Sequence, residues 1–244
     1  MTQDPTTRDP TSRRPDRCEA SAPVEVLDRR PGRCGELVLR RVGSALEIIA
    51  NGTFLMDTRD GRSERLLARA GLDRVWGSAL SVLIGGLGVG FTTAEVLADP
   101  RVCRVVVVEL EAVVLEWHRG PLAAPGGHVL EDPRVEVVCA DLAEALGEPG
   151  SPVAVPASFD LVCLDVDNGP DWLVRPGNAV LYQPDGLRLL TRSVRPGGVV
   201  TVWGATGHPE FASRLAEVLE GVETLEVPTR HGDPDVVWAG RRPA

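Results

Sequence analysis

Lysine is absent from this 244-residue chain; all 26 of its basic side chains are arginine. That excludes Schiff-base lysine chemistry and the lysine of a Walker-type phosphate loop. Bases are also outnumbered, 26 against 35 acids, and the net charge of −9 leaves no basic footprint for a nucleic acid. It favours, through long-range steering, a small cationic substrate. Five cysteines stand at 18, 34, 103, 139 and 163 with no CxxC pair, so neither a disulfide framework nor a metal ribbon is legible, and no metal site is expected. Cys103, Cys139 and Cys163 lie in or beside apolar runs and are expected as buried small hydrophobes. No apolar run reaches the ~18 residues that span a bilayer, and the first residues are polar rather than those of a signal peptide. The expectation is a cytoplasmic protein with no membrane partner.

Residues 1–23 hold four prolines, and their four acids and four arginines cancel. With almost no large apolar side chain, this stretch is expected to be a disordered tail. Residues 36–42 and 45–50 flank Gly43-Ser44 and read as a hairpin; Asn51-Gly52 then turns into a third strand at 53–56. Residues 63–72 have helical spacing, with Leu66, Leu67 and Ala70 on one face. A small β appendage with a linking helix is therefore expected over 24–76.

From residue 77 the pattern changes to that of one larger domain running to 244. Short apolar runs at 82–84, 105–108, 135–138, 161–164, 199–202 and 236–238 alternate with helix candidates at 92–98, 112–118, 142–146, 184–194 and 209–219. Runs that are almost wholly Val, Ile and Leu imply strands buried on both faces, and the alternation implies a Rossmann-like, doubly wound, mainly parallel sheet.

Chemistry is expected at the strand ends. The first run leads into Gly85-Gly86-Leu87-Gly88-Val89-Gly90, followed by a helix whose N-terminus points back at the loop. Glu109 lies 19 residues past Gly90, at the end of the next strand, where a carboxylate accepts hydrogen bonds from ribose hydroxyls. The spacing is GxGxG through Gly86, Gly88 and Gly90, not the GxGxxG of a dinucleotide fingerprint, which disfavours a NAD enzyme. Asp165 follows directly on the fourth strand, so its carboxylate is expected to be fixed and partly buried, placed to take a proton from an attacking amine. Asp167 and Asn168 could line an acceptor site. Trp172, Tyr182 and Trp203 are read either as an aromatic wall holding a cation or as core. Asp141, at the end of the third strand, reads equally as a helix N-cap. His118 and His128 are expected at the surface.

The glycine loop, Glu109, Asp141, residues 165–170, Leu181-Tyr182 and Pro196-Gly197-Gly198 together resemble the spermidine synthase-like family, within the class I S-adenosylmethionine (AdoMet) transferases. The resemblance runs over about residues 36–241 and implies a seven-stranded sheet. It implies that Gly85, Gly86, Gly88, Gly90, Glu109, Asp141 and Leu142 bind AdoMet or decarboxylated AdoMet, with Asp141 on the adenine amino group and Leu142 packed on the ring. It implies that Asp165 deprotonates or positions an amine acceptor; Asp167, Asn168, Trp172 and Tyr182 are the residues read above as candidates to line that acceptor's site. Family members commonly dimerise or tetramerise, so a homodimer is one assembly it allows. The chain departs from the family pattern in three places. Asn168 replaces the last acid of the Asp-x-x-Asp-Pro loop. The glycine loop carries no acid. The N-terminal gate lacks its Gln and Tyr-His pair, and Arg59, Arg62 and Arg65 stand there instead. An arginine could pair with the carboxylate of AdoMet. Aminopropyl transfer and methyl transfer therefore both stand as expectations, with a non-catalytic nucleoside-binding protein as the alternative.

Overall fold

The computed structural model describes residues 23–170, 172–229 and 232–244. The expected tail, apart from its last residue, lies outside the described residues, as do Cys18, Asp171 and His231.

Four antiparallel strands, β1 (Val24–Gly32), β2 (Gly35–Val42), β3 (Ala45–Ala50) and β4 (Thr53–Asp57), make a first sheet in the order β1-β2-β3-β4. β2 to β4 are the strands that turn chemistry predicts. β1 went unread because it is a polar edge strand with Pro31 near its end, which a strand tolerates only at an edge. α1 (Arg62–Leu72) links this sheet to a second, packing against that sheet's strands β8, β9 and β11, whose ranges follow.

The second sheet contains β5 (Leu80–Gly85), β6 (Val102–Glu109), β7 (Val135–Cys139), β8 (Phe159–Leu164), β9 (Val194–Gly204), β10 (Glu220–Val227) and β11 (Asp235–Arg241), in the order β10-β11-β9-β8-β5-β6-β7. β5, β6, β7, β8 and β9 pair in parallel; β11 is antiparallel to β9 and to β10. Helices α2 (Phe91–Ala98), α3 (Ala112–Trp117), α4 (Leu142–Gly147), α5 (Pro184–Ser193) and α6 (Pro209–Leu215) connect the strands. α6 is shorter than its apolar spacing suggests, and its expected extension leads instead into the exposed strand β10.

Strand alternation divides the interior into two cores. Val82 and Ile84 of β5 join Val105 and Val107 in one, with α1, α2 and α3; Leu83 joins Val106, Leu142 and Leu187 in the other, with α4, α5 and α6. β5 is buried along its whole length because it is central. From β5 the chain winds outward through β6 and β7, then returns to β8 on the other side of β5. That reversal leaves a crevice beyond the carboxyl ends of β5, β6 and β8, where ligands bind in open α/β sheets.

Not every cysteine meets expectation. Cys163 is fully buried in β8, but Cys103 and Cys139 are exposed, because they stand at the start of β6 and the end of the edge strand β7. Among the described residues, no helix is long and apolar enough to cross a membrane.

Candidate active site

A cavity of about 770 Å³ fills this crevice, walled on its other side by the N-terminal sheet and the start of α1. Gly86, Gly88, Glu109, Leu142, Asp165, Asp167, Asn168, Trp172 and Trp203 all line it. The topology therefore brings together most residues singled out in the sequence. Gly85, Gly90, Asp141 and Tyr182 are not on its wall.

The glycine loop is tight for internal reasons. Gly86 has φ +90°, and a Cβ there would stand 2.0 Å from the Asp165 carbonyl oxygen. Gly88 has φ +52°, and a Cβ there would stand 2.2 Å from Met56 Sδ. The close approach that these glycines permit is thus to β8's end and to β4, with the loop's edge left facing the cavity. Leu87 and Val89 are buried, which accounts for apolar residues where the family carries an acid. His118 is a correction: it is buried, not at the surface, and its Nε2 lies 2.9 Å from the Gly88 carbonyl oxygen. Burial holds its pKa below the usual imidazole value. His128, as expected, is exposed, paired with Glu131.

Glu109 ends β6 and is buried. Leu87 N–H donates to its Oε2 (2.9 Å) and Glu111 N–H to its Oε1 (2.8 Å). These bonds fix the carboxylate across the glycine loop and leave acceptor capacity on both oxygens. Burial raises its pKa, and the two N–H groups oppose that rise.

Asp141 resolves its open alternatives as a helix N-cap. Its Oδ1 accepts from Ala143 N–H (2.8 Å) and Glu144 N–H (3.2 Å), and its Oδ2 pairs with Arg175. Burial pushes its pKa up, but the Arg175 guanidinium and the helix N–H groups prevail, and the net shift is downward. Ala140 and Leu142, on either side, are the residues that line the cavity.

Asp165 is partly buried just beyond β8, as expected, on the cavity wall. Its N–H donates to the Gly85 carbonyl (2.8 Å), and its Oδ2 accepts from Thr92 Oγ1 (2.6 Å). Burial pushes its carboxyl up to about 6, the Thr92 bond opposing. Asp167, in the left-handed region at φ +53°, accepts from Asn178 Nδ2 (2.7 Å) and Arg175 N–H (3.3 Å). Tyr182 corrects an expectation. Its ring packs edge-on against Phe211 (5.7 Å), its hydroxyl donates to the Val166 carbonyl (2.6 Å), and it is not on the cavity wall. It supports the 165–168 loop from below. Trp172, by contrast, is 53% exposed at the cavity mouth.

Of the lining acids not singled out in the sequence, two stand beside Ser63 at the start of α1. Glu64 is buried in the first turn of α1, where Ser63 Oγ donates to its Oε2 (3.0 Å). Burial, then the nearby Asp165 charge, push its pKa up to about 7. The signal was present: Glu64 shares the i, i+3, i+4, i+7 stripe with Leu67, Ala68 and Gly71, which is the buried face. Asp235, opening β11, stands near Ser63, and its pKa is raised by burial.

Charge around the cavity is unbalanced. Ten carboxylates and three arginines line it. All three arginines are engaged: Arg59 with Asp57 and Glu47 (2.6 Å to the latter), Arg62 with Asp60 (2.8 Å) and Arg175 with Asp141. Arg65, the third gate arginine, lies over the Phe91 ring (4.4 Å) and off the wall. Among the described residues, Glu64, Glu109, Asp165 and Asp167 have hydrogen-bond donors but no ion pair.

No protein-family model matches the chain. A polyamine aminopropyltransferase of Mycobacterium tuberculosis is 34% identical over 169 residues, covering 68% of this chain and 30% of that protein. One from Ralstonia nicotianae is 29% identical over 181 residues, 73% of this chain and 33% of its own length. One from Aeropyrum pernix is 27% identical over 232 residues, 87% of this chain and 68% of its own. The chain thus spans about a third of the length of the bacterial relatives. Among solved structures, spermidine synthase in complex with the transition state analogue AdoDATO superposes with a TM-score of 0.71 at 18% identity, over 89% of this chain and 72% of that one. Spermidine synthase from Thermotoga maritima gives 0.71 at 17% identity, over the same shares. In sequence and in fold, this chain is spermidine synthase-like.

Proposed function

We propose that the protein transfers an aminopropyl group from decarboxylated AdoMet to a small amine. The observation that carries this reading is the charge of the cavity. Decarboxylated AdoMet carries a sulfonium and an ammonium and no carboxylate. Buried carboxylates without ion pairs attract such a dication, while AdoMet's own carboxylate finds every lining arginine already paired. The names of the curated relatives point the same way.

In this reading the Glu109 oxygens receive the ribose hydroxyls, Gly86 and Gly88 pass beneath the nucleoside, and Leu142 packs on the adenine. Asp141 serves indirectly, by starting α4 and holding Arg175. Asp165 accepts the acceptor's proton, and Asp167, Asn168, Trp172 and Trp203 wall the acceptor's path. The chain supplies positioning and electrostatics for an in-line displacement. Methyl transfer from AdoMet is the second reading, favoured only by the presence of Arg59 and Arg62 on the wall. The free thiols of Cys34, Cys103, Cys139 and Cys163 suit the reducing cytoplasm, where we place the reaction. A homodimer, which the family resemblance allows, is checked by light scattering.

The test is side-by-side calorimetric titration with decarboxylated AdoMet, AdoMet and NAD, followed by turnover of labelled donor with a panel of amines. Tight binding of decarboxylated AdoMet with aminopropyl transfer supports the proposal. Preference for AdoMet with methyl transfer, or binding without turnover, overturns it.

A further inference from the structure

We propose that Glu64, acting through Asp165, carries away the proton released when the acceptor amine becomes nucleophilic, and that Ser63 hands it on to Asp235. This rests on the transfer reading above.

The proton must go somewhere. The acceptor enters as an ammonium and gives one proton to the Asp165 carboxylate. The nitrogen lone pair so freed forms the new C–N bond while the carbon–sulfur bond breaks. The electrons of that bond stay on sulfur, which leaves as a neutral thioether, and the product nitrogen is a secondary ammonium. The sum is one proton released per transfer, held on Asp165.

Asp165 is ill placed to return it to water. It is partly buried, its Oδ2 is occupied by Thr92 Oγ1 (2.6 Å), and in the transfer reading the bound substrates cover its open side. Glu64 is the neighbouring carboxyl. It is a buried acid with no ion pair among the described residues, close enough to Asp165 for their charges to interact. Thr92 Oγ1 also lies 3.4 Å from the Glu64 carbonyl oxygen, so one side chain ties α1 to the Asp165 loop. Two such carboxyls share protons as a pair, and an acid of the pair is protonated easily near neutrality.

Beyond Glu64 stands a buried hydroxyl between two carboxyls. Ser63 Oγ lies 3.0 Å from Glu64 Oε2 and stands near Asp235, which lines the same cavity. A serine hydroxyl has one proton and two lone pairs, so it can donate to Asp235 while accepting from protonated Glu64. Asp235 is half-buried and is itself flanked by the charges of Asp60 and Arg62. The groups facing Glu64 are therefore Asp165 from β8's end, Thr92 from α2, Ser63 from its own helix and Asp235 from β11. Those facing groups include no cation that would pin the proton's departure.

Two measurements test this. The first is carboxyl ¹³C titration of wild type, Glu64→Gln and Asp165→Asn. The pair titrates in two coupled steps in the wild type, and either substitution moves the surviving carboxyl's midpoint down, because its like-charged neighbour is gone. A survivor that does not move in either variant overturns the pairing. The second is kinetics against pH. Glu64→Gln lowers kcat at least ~10-fold, the low end of proton-transfer effects, leaves KM within about twofold, and displaces the acid limb of the kcat profile. Ser63→Ala and Asp235→Asn reproduce that displacement with smaller losses. A Glu64→Gln enzyme with wild-type kcat and an unmoved acid limb overturns the relay. A wild type that transfers nothing overturns the proposed function instead, and the titration separates that failure from failure of the carboxyl pair.

Discussion

Thr92, in the first turn of α2, donates a 2.6 Å hydrogen bond to Asp165 beyond β8, bridging the crevice where the sheet order reverses. The bond holds one carboxylate oxygen and leaves the other for a substrate, while burial lifts the carboxyl to about 6. An acid held there is ionised at neutral pH yet basic enough to accept a proton. Asp165→Asn keeps the shape and removes the base. It is expected to retain nucleoside affinity and to lose about 10²–10⁴-fold in kcat. In the wild type, kcat rises with pH through about 6 as Asp165 ionises. A kcat near wild type in Asp165→Asn, measured with the true acceptor, removes the residue from the mechanism.

The same shift bears on stability. Asp165 has a folded-state pKa raised from 3.8 to about 6, so the folded protein binds its proton more tightly than the unfolded chain does. Stability on this account is greatest below about 4 and is lost as pH rises through about 6. At ~1.4 kcal/mol per pKa unit, the cost of keeping the buried charge at pH 8 is on the order of 3 kcal/mol. Asp165→Asn is therefore expected to melt higher than wild type at pH 8, with the advantage gone near pH 4. Thermal melts at the two pH values check it; an equal difference at both refutes the sign.

Glu109 spans the glycine loop and the β6 end through Leu87 N–H and Glu111 N–H. Charge-assisted hydrogen bonds to ribose are worth about 1.5–3 kcal/mol each. Glu109→Ala is expected to weaken nucleoside binding at least ~10-fold. Because that change also strands two N–H groups, Glu109→Gln is the milder partner: it keeps one acceptor oxygen for the loop, though its NH2 faces the other N–H and the charge is gone. A 2′,3′-dideoxy donor analogue that binds wild type as well as the parent compound does would sink the ribose role.

Much of this arrangement was legible in the sequence because it depends on local rules. Val105–Val108 and Leu161–Leu164 show no polar interruption, and only strands buried on both faces read so. Glu109 and Asp165 fell at the ends of those runs, hence at the sheet's carboxyl edge. What was not legible depends on packing between distant elements. Whether Tyr182 faced a pocket or a core was decided by Phe211, 29 residues on, and by the Val166 carbonyl. Asp141 could have faced a ligand until Arg175 claimed its second oxygen. Met56, on β4, fills the space above Gly88, a contact between two sheets that no spacing predicts.

That contact gives a prediction at Gly88. A side chain there meets Met56 Sδ and must adopt φ +52°, which costs roughly 1–2 kcal/mol for a non-glycine residue. Gly88→Val is expected to lose stability and donor binding together. Adding Met56→Ala relieves the collision and leaves the backbone strain, so the double variant regains part of the stability. If Met56→Ala restores nothing, the collision is not what Gly88 avoids.

Tyr182 separates the two roles considered for it. Tyr182→Phe removes the hydroxyl that donates to the Val166 carbonyl and keeps the ring against Phe211. The expected cost is about 1–3 kcal/mol of stability, from a buried carbonyl left unpaired. The acceptor's KM should hold within about twofold. A KM rise of tenfold or more without loss of stability returns Tyr182 to the acceptor site.

Asp141 and Arg175 offer control of donor choice. Arg175 lines the cavity, and Asp141 Oδ2 neutralises it. Asp141 Oδ1 meanwhile caps α4, so removing the whole side chain costs about 1 kcal/mol in the cap alone. Asp141→Asn keeps a capping oxygen and takes away the negative charge, leaving Arg175 without its counter-ion. A free guanidinium on the wall is what AdoMet's carboxylate lacks in the wild type, and what the donor's ammonium is repelled by. Asp141→Asn is therefore expected to shift the ratio of affinities toward AdoMet and away from decarboxylated AdoMet, by about tenfold if the two effects together reach ~1.4 kcal/mol. Arg175→Gln in the same background should abolish the shift. Calorimetry with both donors on the three proteins reads it directly. An unchanged ratio in Asp141→Asn shows that the paired arginine is not what discriminates against a donor carboxylate.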